Sequence, residues 1–298
     1  MDNLDSIIHI GGNKTASTLL QRKLFSKYKN IFYVGEDCYK YKEIQDSIFS
    51  LVHEDDFYYD SEEFISLLNS IKKDSDASHF IFSNEDIMYS KNPTLCAQRL
   101  KEIIPNSKVL MVIRNQFDVI PSWYANHGAY LKNVPKKFWK RYVDLDSWLD
   151  YCFSFPDSSP LQAMDYYKYY QIFSRLFGKE NIIVLAYEDI LFDRSAFTHK
   201  LSTLIGVDAS DIDAVFDIKS ERPRNTQLQF LIHSNLGFSR RLSDLTYSFF
   251  SRFDNTQPVK IILNDYWKAK IFEHYAESNK LLALNVDIDL RNYNYPLN

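Results

Sequence analysis

The chain opens on an apolar run, Ser6, Ile7, Ile8, His9 and Ile10, that meets Gly11 and Gly12 and then Asn13, Lys14, Thr15, Ala16, Ser17 and Thr18. A short β-branched run ending in glycines, a lysine and hydroxyl residues predicts a strand, an anion-binding loop and a helix, in that order. The first turn of a helix carries free backbone N–H groups and a partial positive charge. Lys14 sets a mobile full charge beside them, and Thr15, Ser17 and Thr18 add hydroxyl donors. Phosphate is the expected guest.

The loop is nevertheless a poor nucleoside-triphosphate cradle. In the pattern G-x-x-x-x-G-K-[ST] the lysine follows a longer glycine loop, whereas here it comes too soon, and Ala16 stands where another glycine is expected. Such enzymes also need a strand-end aspartate for magnesium. The next buried-looking strand, Val109, Leu110, Met111, Val112 and Ile113, runs instead into Arg114. An arginine cannot hold a metal, but it can hold a phosphate. Arg114 at the strand end and Ser122 two helical turns on can face one anion, the first as a bidentate fork and the second as a hydroxyl donor. Two separate anion sites suggest a doubly phosphorylated nucleotide.

These segments resemble the sulfotransferases that use 3′-phosphoadenosine 5′-phosphosulfate. HIGGNKTAST is similar to their 5′-phosphosulfate loop, written near H-I-G-x-x-K-T-G-T-T, and Arg114 to Ser122 is similar to their 3′-phosphate motif, R-N-P-x-x-x-x-x-S. Phe82, Ser83, Asn84 and Glu85 resemble the strand-end S-S-E of many bacterial members, and Tyr187, Glu188 and Asp189 the recurrent Y-E-D. The departures are Ala16 for the loop glycine and Gln116 for the proline after Arg-Asn. Alanine suits helical dihedrals and fits poorly where φ must be positive.

The resemblance implies a chemistry. The loop residues Gly12, Asn13, Lys14, Thr15, Ala16, Ser17 and Thr18 would hold the phosphosulfate, with Lys14 offsetting charge on the bridging oxygen, and Arg114 and Ser122 would grip the 3′-phosphate. Tyr187 would stack near the adenine or pack in the core. The transferred sulfuryl group carries less charge than a phosphoryl group, so no metal is expected, and the bisphosphate would be the product. A base for the acceptor hydroxyl would come from Glu36, just past the second strand, or from Glu85, near the end of the third, with His127 and His53 as further candidates. The acceptor implied is a carbohydrate or glycolipid. A small-molecule kinase with an aberrant loop and a non-catalytic nucleotide-binding member remain the alternatives.

Strands separated by helices imply an α/β fold, a central parallel sheet flanked by helices in the P-loop-like manner of this family, with a mostly helical C-terminal part. Strands are expected at 6–11, 31–34, 79–83, 108–113 and 181–186. Helices are expected at 15–28, 61–73, 94–103, from about 116, over 146–177, at 194–205 and at 263–284. In such sheets ligands bind beyond the carboxyl ends of the strands, where Lys14, Glu85 and Arg114 all fall. No Pro/Gly/Ser-rich linker divides residues 1–298, which predicts a single domain.

A net charge of -4 speaks against a general nucleic-acid binder. Cys38, Cys96 and Cys152 are too few and too scattered for a disulfide framework or a zinc site. No run is long enough to span a membrane, and the first strand begins so near Met1 that no signal peptide precedes it, which points to the cytoplasm. His9 reads as a hydrogen-bonded core residue of the first strand. The basic, aromatic stretch 130–142 is either a solvated segment or a wall for an anionic glycan. Leu236 to Phe253 reads first as core packing, with peripheral contact to a membrane as the alternative. Oligomeric state is not written in the sequence.

Overall fold

The five expected strands form as β1 (Asp5–His9), β2 (Ile31–Gly35), β3 (His79–Ser83), β4 (Lys108–Ile113) and β5 (Ile182–Ala186). The computed structural model describes residues 4–35, 44–72, 76–127, 143–217, 226–236, 238–257 and 259–297. Every pairing is parallel and the order is β2-β3-β1-β4-β5. An all-parallel sheet is covered on both faces, which is why β4 reads as unbroken Val109, Leu110, Met111, Val112, Ile113 and why all five side chains are buried. β1 lies at the centre, and the chain moves to one side for β2 and β3 and to the other for β4 and β5. The strand order therefore reverses at β1, which makes its carboxyl end a topological switch point.

The helices in chain order are α1 (Ser17–Leu19), α2 (Gln45–His53), α3 (Ser61–Lys72), α4 (Pro93–Ile103), α5 (Gln116–His127), α6 (Leu145–Ser154), α7 (Tyr166–Phe177), α8 (Asp189–Phe192), α9 (Arg194–Ile205), α10 (Ala209–Asp217), α11 (Gln227–Asn235), α12 (Arg240–Phe250) and α13 (Asp265–Ala283). Local chemistry sets their ends. Asn92 accepts from Leu95 N–H ahead of Pro93 at the start of α4. Asp193 accepts from Ala196 N–H at the start of α9, and Gly206, with φ 65, closes that helix in the left-handed region. Arg99 binds the carbonyls of Ser50, Leu51 and Glu54 and so caps the end of α2.

Two expectations are corrected and a third is made more definite. The helix expected at 15–28 starts only at Ser17, because Lys14 and Ala16 are left-handed, and it continues as a π-helical turn over Leu20–Phe25. The helices expected over 146–177 form as α6 and α7, with short 3-10 turns that begin at Pro156 and Pro160 between them. Leu236 to Phe253 is not core: Phe238, Leu245, Phe249 and Phe253 are all more than half exposed.

By internal packing the chain divides into two compact units, residues 1–115, 162–219 and 275–298 in one and 116–161 and 220–274 in the other. The first holds the sheet. Its core sets Ile7, Ile81, Leu110, Val112 and Leu185 of the strands against Leu20, Leu24 and Phe25 after the loop and Phe197 and Leu201 of α9. α7 presents Tyr166, Tyr169, Tyr170, Phe173 and Phe177 as a buried stripe at helical spacing. In the second unit Trp148 of α6 is fully buried, stacked with Trp123 and tilted against Tyr124, both of α5.

Candidate active site

The loop between β1 and α1 takes its form from left-handed backbone. Lys14 has φ 71 and Ala16 has φ 67, one on either side of Thr15. Such alternation curls successive N–H groups into a concavity that suits an anion. Among the described residues the N–H groups of Asn13, Thr15 and Ala16 have no acceptor, and the first helical bonds, from Leu19 and Leu20, both end on the Ala16 carbonyl. Ala16 therefore sits in the backbone region where glycine is easiest, and the strain of about 1–2 kcal/mol that a side chain carries there is retained in this chain.

The hydroxyls divide into two kinds. Thr15 Oγ1 donates to the Gly12 carbonyl at 2.6 Å, and Ser17 Oγ donates to the same carbonyl at 2.9 Å. Both side chains are buried, so these hydroxyls shape the loop, and what the two residues offer a guest is their backbone. Thr18 is half-buried, and its hydroxyl has no partner among the described residues.

Beneath the loop His9 is a strut. Its Nδ1 lies 2.7 Å from Ser83 Oγ, and Gln21 Nε2 donates to the same oxygen at 3.0 Å. Two neighbouring strands and the turn after the loop thus meet at one hydroxyl. Burial pushes the imidazole pKa down to about 3, so the ring is neutral. A Cβ on Gly11 would lie 2.6 Å from His9 Nε2, so the glycine is required by the ring packed against it.

Arg114 follows directly after β4. Its Nη1 donates to the Lys14 carbonyl at 3.0 Å, and its guanidinium carbon lies 4.3 Å from the centre of the Tyr187 ring. The half-buried arginine is thereby tied to the loop on one side and to the start of the Tyr187-Glu188-Asp189 turn on the other. Its Nε is buried and has no hydrogen-bond partner among the described residues.

A second layer holds that turn. Tyr166 OH accepts from Arg114 N–H at 3.3 Å and donates to the Arg114 carbonyl at 2.7 Å. Glu188 accepts from Asn115 N–H at 2.8 Å and from Tyr295 OH at 3.0 Å, and burial raises its pKa. Asn115 Nδ2 donates to the carbonyls of Tyr293 and Asn294, and Tyr293 OH bonds Asp189. The sequence marks Asn115 only as part of the Arg-Asn motif and Tyr166 only as one of a tyrosine cluster, and it does not mark the C-terminal tyrosines. Their roles carry no local signal, because each acts on residues far away along the chain.

Of the two carboxylates weighed as the base, Glu85 is buried at the start of a 3-10 turn, capped by Asn84, just past the Ser83–His9 pair. It therefore lies at the same sheet end as the loop. Glu36 follows Gly35, whose Cβ position falls 2.1 Å from the Ser83 carbonyl, but Glu36 itself is outside the described residues, as is the 130–142 stretch. His53 ends α2, with Nε2 3.5 Å from Asp86 Oδ2. Ser122 is a partly exposed residue of α5 in the second unit, and the side chain of His127 on the same helix is outside the description. Cys96 and Cys152 are buried and free. Among the described residues no cluster of three His, Cys, Asp or Glu is placed to hold a metal, and no helix is long and apolar enough to cross a membrane.

A left-handed loop at the switch point of a parallel sheet, bonded to a strand-end arginine, is the architecture of an α/β protein that binds phosphate-like anions. Residues 10–233 match the sulfotransferase domain, and the chain belongs to that family. A sulfotransferase from Alicyclobacillus acidocaldarius shares the fold, with a TM-score of 0.56 and 12% identity over 97% of this chain and 98% of that one. Looser likeness extends to the sulfotransferase domain from the curacin biosynthetic pathway, with a TM-score of 0.45, 11% identity and coverage of 96% and 100%. It extends also to that of the Synechococcus PCC 7002 olefin synthase, with a TM-score of 0.41, 12% identity and coverage of 85% and 96%. No curated protein matches the sequence.

Proposed function

We propose that the protein transfers a sulfuryl group from 3′-phosphoadenosine 5′-phosphosulfate to a hydroxyl of a carbohydrate or glycolipid. The observation that carries this reading is the Arg114–Lys14 bond, which couples the strand-end arginine to the loop that would hold the reacting end of the donor. The loop N–H groups and Lys14 would take the phosphosulfate. The unpartnered Arg114 Nε is a buried donor that a 3′-phosphate oxygen would satisfy. Ser122 as a second donor rests on the sequence motif.

In the reaction the acceptor oxygen attacks sulfur in line with the bridging S–O bond, which breaks and leaves its electron pair on the 5′-phosphate. The acceptor proton passes to a carboxylate, Glu85 or Glu36. Lys14 stabilises the charge that develops on the leaving oxygen, a contribution that typically amounts to about 3 kcal/mol for one well-placed donor. Adenosine 3′,5′-bisphosphate departs. The acceptor class rests on the resemblance of the chain to bacterial and glycan-modifying members of the family, and the two anion motifs speak for the donor alone.

The test is transfer of radiolabelled sulfate from the donor to separate pools of glycolipids, free saccharides, tyrosine peptides and small alcohols. Label in the carbohydrate pools, lost with Lys14→Ala, is the expected result. Label confined to peptide or alcohol overturns the acceptor, and transfer to no pool overturns the activity.

A further inference from the structure

We propose that residues 226–257 form a peripheral membrane-binding element for an anionic bilayer. Leu231, Phe238, Leu245, Phe249 and Phe253 would enter the boundary between headgroups and acyl chains, and Arg241 and Arg252 would meet the lipid phosphates.

The segment is a helical excursion clasped at its base. The Gln227 N–H donates to the Gln257 carbonyl at 2.9 Å, and Leu228 N–H to Thr256 Oγ1 at 3.0 Å. Asp254 gathers the hydroxyls of Thr226, Tyr247 and Thr256, and these bonds, that of Thr226 foremost, pull its pKa down to about 2. The hairpin of α11 and α12 is therefore held as a unit by groups that stay ionised or bonded across the physiological range.

Its two faces differ. The inner side carries the fully buried Ser243, bonded to the Leu236 and Ser239 carbonyls, and buried His233, set edge-on to Tyr247. The outer side of α12 carries Leu242, Leu245 and Phe249 at helical spacing, and Leu231, Phe238 and Phe253 of the same segment are exposed as well. Exposure reaches 68% for Phe238, 62% for Leu245, 60% for Phe249 and 71% for Phe253. Large apolar residues gathered in this way mark an interaction surface rather than scattered surface residues.

Charge selects the partner. The segment contains three arginines and two aspartates. Asp254 is turned to the hydroxyls at the base and Asp244 lies 3.7 Å from His233 Nε2, which leaves the segment with one arginine in excess of its carboxylates. Arg252 stays among the aromatics, 5.6 Å from the Phe249 ring and 5.7 Å from the Phe253 ring, and Arg241 is exposed. Aromatic and aliphatic side chains interleaved with arginines suit an anionic lipid surface.

The test is sedimentation of the full chain with phosphatidylcholine vesicles, with and without about one-third phosphatidylglycerol. Wild type should bind the anionic vesicles, and Arg241→Gln with Arg252→Gln should weaken binding roughly 30-fold, as two basic residues at such a surface predict. Leu245→Glu with Phe249→Glu should abolish it while leaving the circular dichroism and melting curve unchanged. No binding by wild type, equal binding by both double variants, or a concentration-dependent dimer that the glutamate pair dissociates in place of vesicle binding would overturn the proposal. The assay contains no nucleotide, so its outcome is independent of the donor reading.

Discussion

Gly11→Ala tests the loop through its foundation. The added methyl would lie 2.6 Å from His9 Nε2, 3.1 Å from its Cε1 and 3.2 Å from Ser17 Oγ. The histidine cannot swing aside freely, because its other nitrogen is bonded to Ser83 and its ring is packed edge-on against Phe25. Overpacking of this kind costs about 1–3 kcal/mol, and losing the Ser83 bond adds about 1 kcal/mol, so a total near 3 kcal/mol is expected. In chemical denaturation followed by fluorescence the loss should appear as a lower midpoint with an unchanged slope. His9→Ala removes the ring that the methyl meets, so in that background Gly11→Ala should cost less than about 1 kcal/mol, a coupling near 2 kcal/mol in the double-mutant cycle. Equal costs of Gly11→Ala in the two backgrounds would show that the ring is not what demands glycine, and the strut reading of His9 would fail.

Four further outcomes follow from the same geometry. His9 is neutral when folded and has a pKa near 6.5 when unfolded, so the unfolded chain gains a proton that the fold refuses; stability should fall by about 2 kcal/mol from pH 8 to pH 5, and His9→Asn should flatten that slope in melting curves across pH. Ala16→Gly relieves left-handed strain but loosens the unfolded chain, so its melting temperature should move little, whereas Ala16→Val should cost about 2 kcal/mol; equal effects would place the loop in another conformation. Tyr295→Phe removes one donor from buried Glu188, and a loss of about 1–2 kcal/mol in bisphosphate affinity with the maximal rate preserved is expected if the C-terminal segment positions the Arg114 turn. Glu85→Gln and Glu36→Gln, compared by kcat under saturating donor, should differ by at least about 100-fold, the more damaging one marking the base.

The sheet was legible because each strand is a short apolar run bounded by polar or glycine residues, and β3 and β4 fall where the pattern puts them. α2 was not read, since Gln45–His53 offers only Ile48, Leu51 and Val52 as buried positions, and its end is fixed by Arg99 from α4. The loop was legible as a strand-to-helix anion site, but the positive φ at Lys14 and Ala16 is a property of the folded turn that residue identity alone does not announce. Thr15 and Ser17 read as anion donors, whereas their hydroxyls serve the loop carbonyls. Tyr166 is 52 residues from the arginine it braces, and Tyr295 is 107 from the glutamate it bonds. Contacts of that span are set by the sheet order, which local pattern does not carry.

The central claim is that the loop and Arg114 together hold a nucleotide by its two phosphate ends. Isothermal titration of adenosine 3′,5′-bisphosphate against adenosine 5′-monophosphate, on wild type and on Arg114→Ala, measures it directly. A charge-assisted contact of about 1.5–3 kcal/mol predicts that wild type prefers the bisphosphate by roughly 10- to 100-fold, and that Arg114→Ala erases the preference. Equal affinity of wild type for the two nucleotides would contradict the account.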